Sequence, residues 1–282
     1  MSTAVVLNLP EAGHMNPSFP LIAEMVQRGE RVICYGVKPF RHAIEQTGAE
    51  FRSYSHPRAL IPPAHAGGLF SVMAFLASAT EAILPSLLEE LRAIAPDYLL
   101  LDSMALWGAL AQQVLKIPAI TISAVFVTYP QLPTEQMIRM NYQQAPKEVL
   151  LSGIDALHSY FEISQRLDQQ YGTQSPNIVG AFGNAQPLNI LFTAREFHPG
   201  GELFEEARYK FVGPSVGMRA ETIEFPFAQL NNAPLLYISL GTIFNERPEF
   251  YHACFTAFGN TPYQVVMAIG DKIDPSALAT PR

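Results

Sequence analysis

Short apolar runs alternate with helix-spaced segments along the first half of the chain, and that alternation narrows the possible folds more than any other feature. Ala4 to Asn8 reads as a buried strand, followed by the loop Leu9-Pro10-Glu11-Ala12-Gly13-His14-Met15. Asn16-Pro17 then reads as a helix start, with Asn at the N-cap and Pro in the first helical position. Leu21, Ile22, Met25 and Val26 continue at helical spacing towards a cap at Gly29. Arg31 to Val37 and Phe51 to Tyr54 read as strands, with a helix from Pro39 to Thr47 between them. Glu81 to Ile94 reads as a helix, Tyr98 to Leu101 as a buried strand running into Asp102, Ala105 to Leu115 as a helix and Ala119 to Ser123 as a strand. This βαβα order predicts an α/β fold, a Rossmann-like doubly wound parallel sheet with helices on both faces.

The remainder is less regular. Tyr129 to Gln174 reads as helical, and Leu188 to Thr193 and Tyr209 to Val212 as strands. Pro226 and Asn231-Asn232 mark a linker, after which Leu235 to Ser239 begins a fresh buried strand. Pro248 to Phe258 reads as a helix and Gln264 to Ile269 as a strand. The expected organisation is an N-terminal domain over 1–217, a linker over 218–233 and an incomplete second Rossmann-like domain over 234–282. So short a piece is not expected to build a core of its own.

Composition removes several function classes. With 18 Lys+Arg against 25 Asp+Glu the net charge is −7, which argues against nucleic acid as a partner. Apolar residues at 49% and charged residues at 15% suit a chain with a full core. The start of the chain lacks the pattern of a signal peptide. The apolar stretch from Ala59 to Thr80 is interrupted by Pro62-Pro63, His65 and Gly67-Gly68, so no membrane span is expected. Cys34 and Cys254 match no zinc or redox spacing, and a cytoplasmic protein with two free thiols is the reading.

Common catalytic signatures are missing. There is no G-x-G, no Walker loop and no H-E-x-x-H, and Gly213-Pro214-Ser215-Val216-Gly217 matches G-x-S-x-G without the helix that a nucleophile elbow needs. His14 is the first positive signal. It follows the first strand, at the carboxyl edge where open α/β sheets bind ligands. The nearby helix N-terminus favours the neutral imidazole that a general base requires. A histidine that merely caps or packs is the other reading. Asp102 ends the fourth strand on the same edge and is placed to orient an imidazole, or else to cap the next helix. Ser239-Leu240-Gly241-Thr242 forms a small-residue turn after a strand, of a kind that lets backbone amides approach a phosphate. Phe70, Met73, Trp107 and Phe126 are candidates for the wall of an apolar acceptor pocket, with core packing as the alternative.

Together these blocks resemble the macrolide-type branch of the inverting UDP-glycosyltransferases, which have the GT-B fold. Leu9 to Pro17 resembles the family's opening loop with its G-H-x-N-P core, and Phe211-Val-Gly-Pro-Ser215 resembles its segment before the interdomain linker. Tyr237-Ile-Ser-Leu-Gly-Thr242, Pro248-Glu-Phe-Tyr251, Gln264-Val-Val-Met-Ala-Ile-Gly270 and Ile273-Asp-Pro275 resemble the start of its C-terminal domain. The resemblance implies that His14 deprotonates an acceptor hydroxyl and that Asp102 stabilises the charge. It implies donor contacts at Gly13, Asn16, Ser239, Gly241 and Thr242, and a UDP-sugar co-substrate, glucose foremost, with no metal and no other cofactor. The acceptor it implies is an apolar hydroxylated small molecule such as a macrolide or flavonoid. The family's His-x-Gly, Asn-Ser or Asn-Thr and Glu positions have no counterpart here. A truncated enzyme with little turnover alone is therefore expected. The alternative is an acceptor-binding subunit that pairs with itself or with a second chain supplying the donor domain.

Overall fold

Strand β1 (Thr3–Leu7) is buried on both faces. Val5 and Leu7 join one core, whereas Ala4 and Val6 join another on the opposite side. A central strand covered on both sides reads as the continuous apolar run seen here. The computed structural model describes residues 1–62, 68–127, 147–177, 180, 183–217, 225–241, 245–270 and 272–278. They divide between two compact units, Met1–Ala220 and Glu221–Arg282.

In the first unit β1 is joined by β2 (Arg31–Gly36), β3 (Glu50–Ser53), β4 (Tyr98–Asp102), β5 (Ala119–Ser123), β6 (Leu188–Leu191) and β7 (Tyr209–Phe211). Their order is β3-β2-β1-β4-β5-β6-β7, and each of the six pairings is parallel. Helices α1 (Ala12–Gln27) and α2 (Arg41–Gln46) supply one core through Met15, Ile22, Met25 and Ile44. Helices α3 (Leu69–Ile94), α4 (Leu106–Leu115) and α5 (Lys147–Tyr171) cover the other face. The doubly wound sheet expected from the alternation is thus observed.

Three local expectations need correction. The first helix begins at Ala12, not Pro17, because the short turn after β1 lets the Glu11 carbonyl accept the amides of His14 and Met15. Asn16 is therefore inside the helix and caps nothing. Pro17 and Pro20 are also interior, so neither donates to the carbonyl four residues before it. Secondly, the helix expected from Glu81 starts at Leu69 and runs through Pro85. It is long and apolar enough to cross a membrane, yet Met73, Ala77, Leu84, Leu87 and Leu91 are buried in the protein core. Thirdly, the helix expected from Pro39 divides into a 3₁₀ turn, Lys38–Phe40, and α2. Residues 129–146 of the long helical region lie outside the described residues, as does 218–224 of the linker.

The second unit holds a parallel pair, β8 (Leu235–Ser239) and β9 (Gln264–Ala268), and helix α6 (Pro248–Phe258). Its buried cluster consists of Tyr251, Ile273 and Leu278.

Candidate active site

The chain reverses direction across the sheet between β1 and β4. From β1 it winds outward to β2 and β3, and it returns to place β4 on the other side of β1. At such a switch point the loops after the two central strands diverge and leave a crevice at their carboxyl ends. The register Leu7↔Leu101 brings the residues that follow both strands level with each other. His14 comes from the loop side of β1, and Asp102 is the last residue of β4.

The two side chains meet. His14 Nδ1 lies 2.9 Å from Asp102 Oδ2, with His14 9% and Asp102 1% exposed. A carboxylate only accepts, so Nδ1 carries the hydrogen and Nε2 keeps its lone pair. Among the described residues no hydrogen bond is made to Nε2. The other carboxylate oxygen is engaged too: Met104 N–H donates to Asp102 Oδ1 at 2.8 Å. Asp102 therefore performs both tasks considered for it, ordering the turn into α4 and orienting the imidazole. Asn184 Nδ2 and Ala105 N–H donate to its main-chain carbonyl, which fixes the backbone beneath the carboxylate.

His14 occupies the third position of α1, within its first turn and not in a loop. Burial pulls its pKa down, but the Asp102 hydrogen bond and the charges of Asp102 and Glu11 outweigh burial, and the pKa rises above 6.5. This overturns the expectation that the helix N-terminus governs the ring. The result is a stronger base at Nε2, held in one orientation.

The other named residues divide clearly. Gly13 is exposed at the start of α1, and a Cβ there would meet nothing within 4 Å. Asn16 is half-buried two residues after His14. Ser239 and Gly241 lie at the end of β8, where Ser239 Oγ accepts the Gly241 amide and Gly241 takes φ +78°. Thr242 lies outside the described residues. Met73 and Trp107 have no exposed surface and pack in the core, so they are not walls open to solvent. Phe70 is nearly as buried, whereas Phe126 is 49% exposed beside Phe197 and His198. From sequence no role is assigned to Asn8, Ser18 or Tyr54. Ser18 follows His14 by one helical turn, and that spacing on the apolar face of α1 was the available clue.

No family model matches the chain. The chain is 30% identical over 285 residues to the Bacillus subtilis UDP-glucosyltransferase YojK, covering 99% of itself and 68% of that protein. It is 32% identical to the NDP-glycosyltransferase YjiC of Bacillus licheniformis, over 96% of itself and 66% of that protein. Against the oleandomycin glycosyltransferase of Streptomyces antibioticus the identity is 28%, over 94% of this chain and 60% of that one. The solved calicheamicin glycosyltransferase CalG4 superposes with a TM-score of 0.68 at 27% identity, over 99% of this chain and 67% of that one. The chain thus spans about two thirds of the length of YojK, YjiC and CalG4. On this likeness, together with the switch-point sheet, the chain belongs to the UDP-glycosyltransferase family of natural-product type, with the GT-B fold.

Proposed function

We propose that the chain carries the base and the acceptor side of an enzyme that transfers a hexose, glucose first, from a UDP-sugar to a hydroxyl of an apolar small molecule, that His14 is the base, and that the chain alone turns over little. The observation that carries this reading is the buried His14–Asp102 pair at the β1/β4 switch point, with Nε2 left as an acceptor. In the reaction the acceptor O–H proton moves to Nε2, and the oxygen bonds to the anomeric carbon. The bond from that carbon to the diphosphate breaks on the opposite side, UDP leaves with the electron pair, and the configuration inverts. As Nε2 gains the proton the ring becomes an imidazolium, which Asp102 stabilises through Nδ1.

Donor recognition is assigned to Gly13 and Asn16 in the first turns of α1, and to Ser239, Gly241 and Thr242 after β8. Gly13 and Gly241 have open space where a side chain would stand, which suits close approach of a diphosphate to the backbone. Phe126 is the acceptor-wall candidate that retains open surface. A macrolide or flavonoid as acceptor is supported by the likeness to natural-product glycosyltransferases such as the oleandomycin enzyme.

The test joins the chain to a complete donor domain and incubates it with UDP-glucose and a panel of macrolide and phenolic acceptors, with hexose addition read by mass spectrometry. His14→Ala should lower transfer by roughly 10²–10⁴-fold while acceptor binding, read by calorimetry, persists. An undiminished rate in His14→Ala would remove the mechanism.

A further inference from the structure

A line of buried hydrogen bonds runs from α4 to α1 without passing through the His14–Asp102 pair. Trp107 Nε1 donates to Tyr54 Oη at 3.1 Å, and Tyr54 Oη donates to the main-chain carbonyl of Asn8 at 3.0 Å. Asn8 Nδ2 donates to Ser18 Oγ at 2.8 Å, and Ser18 Oγ donates to the Met15 carbonyl at 2.7 Å. An indole N–H can only donate and a carbonyl can only accept, so the sense of each hydroxyl is set from both ends. Trp107, Tyr54, Asn8 and Ser18 are all buried.

The ends of the line give it meaning. Trp107 is the second residue of α4, on the segment that Asp102 introduces. Ser18 sits one turn after His14 on the same face of α1, and Met15 is its chain neighbour. Between them Asn8 is the residue that leaves β1 towards α1. The line therefore ties together the two segments that carry the pair. Asn8 Oδ1 is buried and accepts nothing from the described residues. An apolar residue would fill that place more cheaply if packing were all the position required.

We infer that Tyr54, Asn8 and Ser18 are positioning residues, which hold the first turn of α1 so that His14 Nδ1 stays on Asp102. The inference rests on the reading of His14 as the base. A base displaced by an ångström loses its alignment, and supporting hydrogen bonds are what prevent the displacement. Tyr54 reaches the end of β1 from beyond β3, so the brace spans the sheet from β3 to α4. Neither the β1–α1 turn nor the β4–α4 turn provides this link by itself.

The experiment reads the His14 imidazole pKa and tautomer by nitrogen NMR on the whole chain, and needs no turnover. Ser18→Ala and Tyr54→Phe each delete one hydroxyl and keep the packing volume close. Both should lower the His14 pKa, in the same direction as Asp102→Asn but by less. Ile83→Val, in the α3 core and away from the line, should leave it unchanged while lowering stability. If Asp102→Asn moves His14 while Ser18→Ala and Tyr54→Phe do not, the brace is packing alone, and the inference fails with the pair intact. If Asp102→Asn leaves His14 unmoved, the pair and the brace fail together.

Discussion

Asp102→Asn keeps the outline of the side chain but removes one of its two acceptors. The carboxylate accepts from Met104 N–H at 2.8 Å and from His14 Nδ1 at 2.9 Å. An asparagine that keeps its oxygen on the Met104 amide turns its NH₂ towards His14. Nδ1 must then accept, the ring hydrogen moves to Nε2, and the nitrogen that takes the acceptor proton is blocked. A base held in the wrong tautomer costs on the order of 10⁴-fold in turnover. Exchanging one charge-assisted hydrogen bond for a neutral one costs about 1 kcal/mol of stability. That loss has a pH signature, because the folded His14 pKa lies above its unfolded value of 6.5. The stabilisation is fully present below the unfolded value and disappears as pH rises through the folded one. The stability gap between wild type and variant should therefore narrow as pH climbs above 6.5. Urea unfolding across pH measures the gap, and nitrogen NMR reports the tautomer. A variant that keeps hydrogen on Nδ1 and a raised His14 pKa would refute the reasoning.

Three further outcomes are expected. His198 Nε2 accepts the Val127 amide at 3.1 Å while Nδ1 donates to Pro199, and burial holds its pKa below 6.5. Stability from this histidine is therefore present above 6.5 and lost as pH falls through the folded pKa; in urea titrations His198→Gln should flatten that acid limb. Gly48→Ala should cost about 1–3 kcal/mol, since φ is +86° and the new Cβ would lie 2.8 Å from Val26 Cγ1; thermal melting gives the value. Leu84→Ala in α3 should cost about 2–5 kcal/mol in urea unfolding, and a negligible loss would contradict the packing of that helix in the core.

The central strands β1, β4 and β5 were legible because each is a short apolar run enclosed by the core. Leu235–Ser239 falls where the sequence places it but is not the buried strand expected, since Leu235 and Tyr237 are 52% and 64% exposed. Helix starts were harder to read. Asn16-Pro17 has every local mark of an N-terminus, yet the Glu11 carbonyl captures two amides earlier and the helix begins there. Gly68 and the segment before it obscured the start of α3, whose apolar surface is sorted only by what packs on it.

The sequence alone determined the α/β class, the apolar strands, and the presence of a histidine and an aspartate at two strand ends. These depend on local periodicity and residue chemistry, which act over a few neighbours. Only the tertiary structure decided that β1 and β4 are adjacent, because strand order is a long-range property. Only it placed His14 on Asp102 and raised the pKa of the ring against the pull of burial. Single hydrogen bonds of the brace through Trp107, Tyr54, Asn8 and Ser18 join residues up to 53 positions apart, and no local pattern could have shown it. Electrostatics and buried hydrogen bonds act through space, and their partners are named only once the chain has folded.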